Sequence, residues 1–262
     1  MEFEILNKIV RQIKVSHPLV NEFKFKLQFL LRKFNKKPHE DHLFFLSYLK
    51  LPKPEKEYTF IDIGANRGQT IQSVLNLKNF KLISFEPLKN LSDRLTQRYK
   101  KNNNVTIFNN ALANIEEKMP VYIPYYNNVA FDGLCSLNEK EALKFFDVKR
   151  FIFFDENLLE IRKSIVNVSK LDSFDINCDF LKADVQGQEL NTLKGSVETI
   201  KRCEPFIILE RPSLDKEVAF LQNFNYSPYV FKNGKFKKEF KSYNVIFMMN
   251  KHRKLFDKSL FE

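Results

Sequence analysis

The segment YTFIDIGANRGQTI, residues 58–71, joins an apolar run to a short turn that contains two glycines. The apolar run has the composition of a buried β-strand. Gly64 and Gly68 bracket the polar residues that follow, and glycine permits both a tight turn and a close backbone approach to a ligand. The segment therefore predicts a strand that ends at a binding site, with the carboxylate of Asp62 beside the turn.

Strands and helices alternate along the rest of the chain. The predicted strands are KLISFEP (81–87), VTIFNNAL (105–112), DFLKADV (179–185) and PFIILER (205–211), and the predicted helices are GQTIQSVLNL (68–77), KNLSDRLTQRYKK (89–101) and QELNTLKGSVETI (188–200). Near the C-terminus, YSPYVFKNGKF and YNVIFMMN are two further strands, with a turn at Asn233–Gly234. Strands this apolar are typical of a parallel sheet covered on both faces, here with an antiparallel strand at one edge.

The composition suits one large domain with an extension, because the chain has 262 residues of which 44% are hydrophobic. The formal net charge is +11, which permits an acidic partner such as a polyanionic glycan, a lipid head group or RNA. An AT-rich genome would also raise the lysine content, together with the unusual 28 phenylalanines. Charge alone therefore does not select a partner.

The cysteine pattern and the N-terminus favour a cytoplasmic protein. Cys135, Cys178 and Cys203 form neither a CxxC metal motif nor a plausible disulfide framework. The N-terminal MEFEILNKIV lacks the basic start of a signal peptide, and no apolar run approaches the roughly 18 residues of a membrane span.

Residues 1–57 are predicted to form a separate basic extension of amphipathic helices. One interpretation is a helical cap packed on the main domain. The other is a basic surface that contacts an acidic polymer or, peripherally, the inner face of a membrane.

The ligand is predicted from two acids. The turn has GxxxG spacing, which differs from the GxGxxG of dinucleotide-binding proteins. Glu86 ends the second strand, where an acid accepts hydrogen bonds from the ribose hydroxyls of a nucleoside. Asp62 would repel a pyrophosphate and attract a cation, so the ligand that fits both acids is S-adenosylmethionine, with its positive sulfur. The alternative is that Asp62 only caps the turn.

Six segments together resemble the FkbM-type methyltransferases: FIDIGANRGQT, ISFEPLKN, NNALAN, VSKLDSF, FLKADVQGQELNTLKGS and PFIILE. The resemblance covers residues 58–250, leaves residues 251–262 as a tail, and implies a class I methyltransferase Rossmann-like fold with a mostly parallel seven-stranded sheet. It also implies that the cofactor is S-adenosylmethionine. The residues that would bind it are Asp62, Gly64, Ala65, Asn66, Gly68 and Gln69 at the turn, Glu86 at the ribose, Asn110 and Ala111 at the adenine, and Asp184.

Asp184 and Glu210 end the two strands nearest the expected methyl group, so they are the candidate catalytic residues. Either carboxylate could take the proton of an acceptor hydroxyl or orient it. The pair could instead hold a magnesium ion, although two carboxylates make an incomplete set. Lys182 has two interpretations, a charge that tunes Asp184 and a lysine whose amine reaches solvent at a sheet edge.

Residues 114–164 break the alternation and are predicted to be an insert on the acceptor side of the site. Tyr125, Tyr126 and Phe131 would stack there on a sugar or base, or would form a small core of the insert. Ser136 lies in a Ser-Leu pair that resembles a family feature.

The leading functional hypothesis is O-methylation of a hydroxyl on a small molecule, a carbohydrate or a glycan precursor. Ribose 2′-O-methylation of RNA is an alternative, supported by basic and aromatic residues in KFKFKLQFLLRKF. A non-catalytic scaffold that keeps a methyltransferase fold is a third.

Overall fold

The computed structural model describes residues 27, 30–31, 41–50, 57–77, 80–146, 151, 153–210 and 215–262. The predicted N-terminal helices lie almost wholly outside these residues. Within the described part of the chain, no helix is long and apolar enough to cross a membrane.

The strands of the described residues form two sheets. In chain order they are β1 (Tyr58–Ile63), β2 (Phe80–Phe85), β3 (Val105–Phe108), β4 (Ala111–Leu112), β5 (Glu117–Tyr126), β6 (Val129–Ala130), β7 (Leu159–Ser169), β8 (Phe180–Ala183), β9 (Phe206–Glu210), β10 (Ser227–Lys232), β11 (Lys235–Lys237) and β12 (Asn244–Met248). The α-helices are α1 (Gln69–Leu75), α2 (Lys89–Tyr99), α3 (Glu139–Leu143), α4 (Glu189–Lys194), α5 (Val197–Cys203), α6 (Asp215–Gln222) and α7 (Asn250–Arg253).

The main sheet confirms the class I methyltransferase fold. Its strand order is β11-β10-β12-β9-β8-β1-β2-β3, and β3, β2, β1, β8 and β9 run parallel. β12 is antiparallel and lies between β9 and β10. β11 is the antiparallel edge strand, and it brings the sheet of the described residues to eight strands, one more than predicted. It pairs with β10 through the predicted turn, where Asn233 and Gly234 have φ of 53° and 75°, as a tight hairpin turn requires.

Both faces of this sheet are buried, as the continuous apolar strands predicted. Phe60 and Ile61 of β1 are adjacent, point to opposite faces and are each 0% exposed. A 3₁₀ helix, Asp41–Tyr48, adds Phe45 to the cluster that contains Phe60. Phe256 joins the same cluster from the C-terminal end. Residues on both sides of the predicted boundaries at 57 and 251 therefore share one core.

The insert folds around the second sheet, whose order is β4-β7-β5-β6. β5 and β7 pair antiparallel from Glu117↔Val168 to Tyr126↔Leu159. Tyr126 is 1% exposed and stacks on Phe151 at a ring distance of 4.9 Å. Tyr126 is thus part of the small core of the insert and does not present its ring to a ligand.

Two predicted elements are each divided in the structure. The single strand expected over residues 105–112 is wrong, because β3 belongs to the main sheet and β4 to the second. The chain leaves the first sheet at Asn109, whose amide donates to the carbonyls of Glu86 and Pro87 at 2.9 Å each. The single helix expected over residues 188–200 is also wrong. It ends at Gly195, where a Cβ would lie 2.0 Å from the carbonyl oxygen of Ala113.

Candidate functional site

The glycine turn after β1 is held against the ends of two neighbouring strands. Gly64 has φ of 88°, a left-handed conformation that side chains disfavour, and its N–H donates to the carbonyl of Phe85 at 2.9 Å. A Cβ on Gly64 would lie 2.0 Å from the carbonyl oxygen of Asp184. The turn therefore requires glycine for both conformation and space, and it brings the ends of β1, β2 and β8 together.

Glu86 is fixed at the centre of this arrangement. Its carboxylate accepts hydrogen bonds from the backbone N–H of Asn66 at 2.7 Å and of Leu88 at 2.9 Å. The side chain is 3% exposed, and burial raises its pKa to about 7, with Asp132 and Asp62 adding to the increase. Each carboxylate oxygen has a second lone pair that a ligand hydroxyl can use.

A cavity opens over these residues, with a volume of about 610 Å³ that includes its solvent-exposed mouth. Glu86 lies in its wall, and Asn110 and Ala111 lie beside Glu86 at the junction of the two sheets. The Asn110 amide donates to the Ser169 hydroxyl at 3.0 Å, which fixes its orientation. The strand ends contribute Gly64, Asn66 and Asp184 to the same wall.

The insert forms a roof, residues 132–137, over the cavity. The Arg67 guanidinium of the glycine turn forms an ion pair with Asp132 and donates a hydrogen bond to its carboxylate at 2.8 Å. Gly133 packs so closely on Asn66 that a Cβ would lie 2.7 Å from its Nδ2. The Ser136 hydroxyl donates to the carbonyl of Gln186 at 2.9 Å, so the roof is bonded to the segments that follow β1 and β8.

Several cavity residues were not predicted from the sequence. They are Pro87, Val121, Asp132, Gly133, Cys135 and Leu137. Pro87 follows Glu86 in the motif ISFEPLKN, whereas the other residues belong to the insert, where no local motif marks them because their position depends on the fold of the insert. The Ser-Leu pair that begins at Ser136, which resembles a family feature, was the sequence signal that indicated residues 132–137.

The predicted site residues fall into two groups. Gly64, Asn66, Glu86, Asn110, Ala111 and Asp184 line the cavity, whereas Asp62, Ala65, Gly68, Gln69 and Glu210 are not part of its lining. Asp62 is 0% exposed, close enough to Glu86 to raise its pKa. Ala65 packs in the hydrophobic core, and Gly68 is the N-cap of α1, with Gln69 as its first residue. Cofactor binding by either group stays a prediction.

Lys182 is a buried lysine in the middle of the main sheet. β8 lies between β1 and β9, and Lys182 is 1% exposed, so the interpretation of a lysine that reaches solvent at the sheet edge is wrong. Its Cα pairs in register with that of Asp62, and in-register neighbours on parallel strands project to the same face. Lys182 thus places a positive charge on the face that carries Asp62, Asp184 and Glu210.

Asp184 and Glu210 form a carboxyl pair at the other end of the site. Glu210 hydrogen-bonds to Asp184 and to the Tyr243 hydroxyl. Burial and the charge of Asp184 raise the pKa of Glu210 to about 8, although the Lys182 ammonium acts to lower it. The raised pKa favours the protonated form of Glu210, which donates a hydrogen bond to Asp184; Asp184 also accepts from the Gln186 amide at 2.7 Å.

Asp184 is the member of this pair that faces the cavity. The backbone N–H of Asp184 donates to the carbonyl of Ile63 at 3.0 Å, and this bond holds Asp184 against the end of β1. Among the described residues, no group of three or more His, Cys, Asp or Glu side chains is placed to hold a metal ion. Magnesium binding by Asp184 and Glu210 stays a hypothesis.

Comparison with known proteins identifies the family, and two solved structures have a distant likeness to the chain. A chain from Methylobacillus flagellatus KT, a methyltransferase FkbM, is 16% identical with a TM-score of 0.48 over 76% of this chain and 45% of its own. The present chain thus spans less than half of that protein. A precorrin-6y C5,15-methyltransferase from Geobacter metallireducens GS-15 is 15% identical with a TM-score of 0.41, over 80% of this chain and 87% of its own. No curated protein matches the sequence.

The family model described as the methyltransferase FkbM domain matches residues 62–228. This match begins at Asp62 in β1, includes the cavity and both candidate catalytic acids, and ends in β10. It covers more than half of the chain, so the chain belongs to the FkbM methyltransferase family.

Proposed function

We propose that the protein is an S-adenosylmethionine-dependent methyltransferase that acts on a hydroxyl oxygen. The observation that carries the proposal is the arrangement of two carboxylates in one cavity wall, Glu86 at one side and Asp184 at the other. The first suits a ribose and the second suits the hydroxyl of an acceptor. Family membership supports methyl transfer as the reaction class.

The residues of the cavity fit the cofactor. Glu86 has free lone pairs for the two ribose hydroxyls after accepting from two backbone N–H groups. The Asn66 carbonyl oxygen Oδ1 is buried without a hydrogen-bond partner among the described residues, which suits a donor such as an ammonium group. Gly133 packs directly on the Asn66 amide, and Gly64 packs on the backbone of Asp184, so both glycines allow close approach at the cavity wall. When bound, S-adenosylmethionine supplies a methyl group already activated by its sulfonium.

Asp184 acts on the acceptor. Its carboxylate accepts a hydrogen bond from the acceptor hydroxyl, orients the oxygen, and takes the proton as negative charge would otherwise develop. Glu210 stays protonated and, with the Gln186 amide, fixes the carboxylate by hydrogen bonds. Glu210 is thus assigned a positioning role and Asp184 the catalytic one.

A carbohydrate or glycan precursor is the proposed acceptor. The acceptor side of the cavity presents Gln186 and Gln188 besides Asp184, and the roof adds Asp132. Amide and carboxylate groups of this kind form the hydrogen bonds that a polyhydroxylated ligand needs. RNA remains the competing acceptor, and it would be distinguished by its strong salt dependence.

The test is transfer of labelled methyl from S-adenosylmethionine to sugars, oligosaccharides and RNA, with and without magnesium. Asp184→Asn is expected to lose transfer by about 100-fold or more and to keep cofactor binding. Asp175→Asn is the matched control, because Asp175 is an exposed acid with a left-handed φ of 46° that asparagine also adopts. Full activity of Asp184→Asn would contradict the assigned role. Transfer to RNA alone would contradict the acceptor class.

A further inference from the structure

Two cysteines outside the candidate site lie in contact, although 25 residues separate them in sequence. Cys178 precedes β8 and Cys203 ends α5. The backbone N–H of Cys178 donates to the Cys203 sulfur at 3.4 Å, and the two thiols also hydrogen-bond each other. No motif in the sequence predicts a cysteine pair, because the contact arises from the packing of α5 against the segment that enters β8.

The two thiols differ in exposure and in acidity. Cys178 is 4% exposed, and its pKa is raised by the hydrogen bond to Cys203 and by burial, so it keeps its proton. Cys203 is partly exposed, and its pKa is lowered to about 6 by hydrogen bonds from the Cys178 thiol and N–H and by the Arg202 guanidinium. A partly exposed thiolate beside a protonated thiol is the arrangement found in oxidisable cysteine pairs.

The local structure holds the pair together. The Arg202 guanidinium donates to the Asn177 side-chain oxygen at 3.1 Å and to the carbonyl of Ile176 at 3.0 Å. These bonds fix the loop that carries Cys178 against the end of the helix that carries Cys203.

We propose that Cys203 and Cys178 form a thiol modification site that reacts with hydroperoxides. The Cys203 thiolate attacks the terminal peroxide oxygen, the O–O bond breaks, and the alkoxide leaves (hydroxide when the oxidant is hydrogen peroxide), so that Cys203 becomes a sulfenic acid. The Cys178 sulfur then attacks the Cys203 sulfur, an S–S bond forms as the S–O bond breaks, and the Cys178 proton leaves with the hydroxide as water. The two thiols are oxidised to a disulfide and the peroxide is reduced, and a dithiol reductant reverses the change.

This site is separate from the cavity. Cys178 lies at the N-terminal end of β8, whereas Asp184 follows the C-terminal end. Six residues of nearly extended chain span about 20 Å. Asp179 follows Cys178 and is bonded to Thr59 of β1: its backbone N–H donates to the Thr59 carbonyl and its carboxylate accepts from the Thr59 N–H, each at 2.9 Å. A disulfide would therefore form beside a strand end that is held by two hydrogen bonds.

The experiment uses the full chain, hydrogen peroxide, a sulfenic acid trap and mass spectrometry of the peptides. The wild type is expected to lose two hydrogen atoms and to join the Cys178 and Cys203 peptides. Cys178→Ser is expected to accumulate trapped sulfenic acid on Cys203, because the second thiol is missing. Cys203→Ser is expected to form neither product.

Cys135→Ser is the matched control, because Cys135 is the third cysteine and burial raises its pKa. It should leave the disulfide unchanged. At pH 7 Cys203 should react with a small alkylating reagent about threefold faster than an ordinary thiol, after allowance for the lower nucleophilicity of an acidic thiolate. The pH at which the reaction rate of Cys203 reaches half its maximum should rise in Cys178→Ser, because this variant lacks the hydrogen bond from the Cys178 thiol. Equal reactivity of Cys203 and Cys135, or peroxide oxidation of the wild type without a disulfide, would overturn the proposal.

Discussion

Replacement of Gly64 by alanine tests the backbone contact on which the candidate site is built. The new Cβ would lie 2.0 Å from the carbonyl oxygen and 3.0 Å from the carbonyl carbon of Asp184, and Gly64 has φ of 88°. The substitution therefore combines a left-handed conformation with a collision between two main-chain segments. Neither segment can relieve the collision by a side-chain rotation.

Two other glycines separate the two effects. Gly234 has φ of 75° with nothing within 4 Å of an added Cβ, so alanine there meets only the conformational cost. Gly195 has an ordinary φ of −81°, but its Cβ would lie 2.0 Å from the carbonyl oxygen of Ala113, so alanine there meets only the collision. The three substitutions add the same methyl group in each case.

The left-handed conformation costs about 1–2 kcal/mol, of which roughly 0.4–1 kcal/mol is recovered from the unfolded chain. Overpacking typically costs about 1–3 kcal/mol. We expect about 1 kcal/mol for Gly234→Ala, about 1–3 for Gly195→Ala and, as their sum, about 2–4 for Gly64→Ala. A change of 1 kcal/mol lowers Tm by roughly 2–4 °C in a chain of this size, so Gly64→Ala should lower it by about 10 °C.

The assay is thermal unfolding followed by circular dichroism, with urea unfolding as a second measurement of stability. If Gly64→Ala and Gly234→Ala lowered Tm equally, the glycine turn would not touch Asp184 in solution. The geometry of the cavity would then be wrong at its base.

The buried ionisable groups give three further predictions. Glu86 has a pKa of about 7 before a ligand binds, and ribose hydroxyls favour its charged form. The affinity for S-adenosylmethionine should therefore fall as the pH drops below 7, and this pH dependence should be absent in Glu86→Gln. Calorimetry at several pH values measures both affinities. Glu210 has a pKa raised to about 8, against about 4.5 in the unfolded chain, so its contribution to stability is complete below pH 4.5 and is lost as the pH rises through 8. Glu210→Gln should remove that loss of stability. An unchanged pH dependence of urea unfolding in this variant would contradict the prediction. Lys182→Met removes the cation from a buried cluster of carboxylates, so it should lower the free energy of unfolding by about 3–5 kcal/mol at pH 8. The loss should be smaller at pH 5, where carboxylates gain protons. An equal loss at both pH values in urea unfolding would show that Lys182 contributes packing alone.

The sequence was sufficient to predict the main sheet because its signals are local. The apolar run before Gly64 predicted β1 to the residue, from Tyr58 to Ile63. Asn233–Gly234 predicted a tight turn, because that dipeptide accepts two positive φ values, and the structure places this turn between β10 and the additional strand β11. The positions of Glu86 and Asp184 followed from their places at strand ends, since carboxyl ends of parallel strands meet at one edge.

The insert and its contribution to the cavity depend on contacts between distant residues. The ion pair of Arg67 and Asp132 joins residues 65 apart, and the bond from Ser136 to Gln186 joins residues 50 apart. Burial of Lys182 likewise depends on the strands on both sides of β8. A single sequence shows the polar character of these residues but not their partners, so the insert was expected beside the site but the contacts that hold its roof could not be predicted.

The most direct test of the central claim is calorimetric titration of the purified protein with S-adenosylmethionine and, separately, with NAD. We expect one molecule of S-adenosylmethionine to bind, NAD not to bind, and Glu86→Gln to weaken the binding by about tenfold or more, since two hydrogen bonds to a charged group are lost. Binding of NAD, or no binding of S-adenosylmethionine to a folded protein, would contradict the account. The latter result would favour a scaffold that keeps a methyltransferase fold.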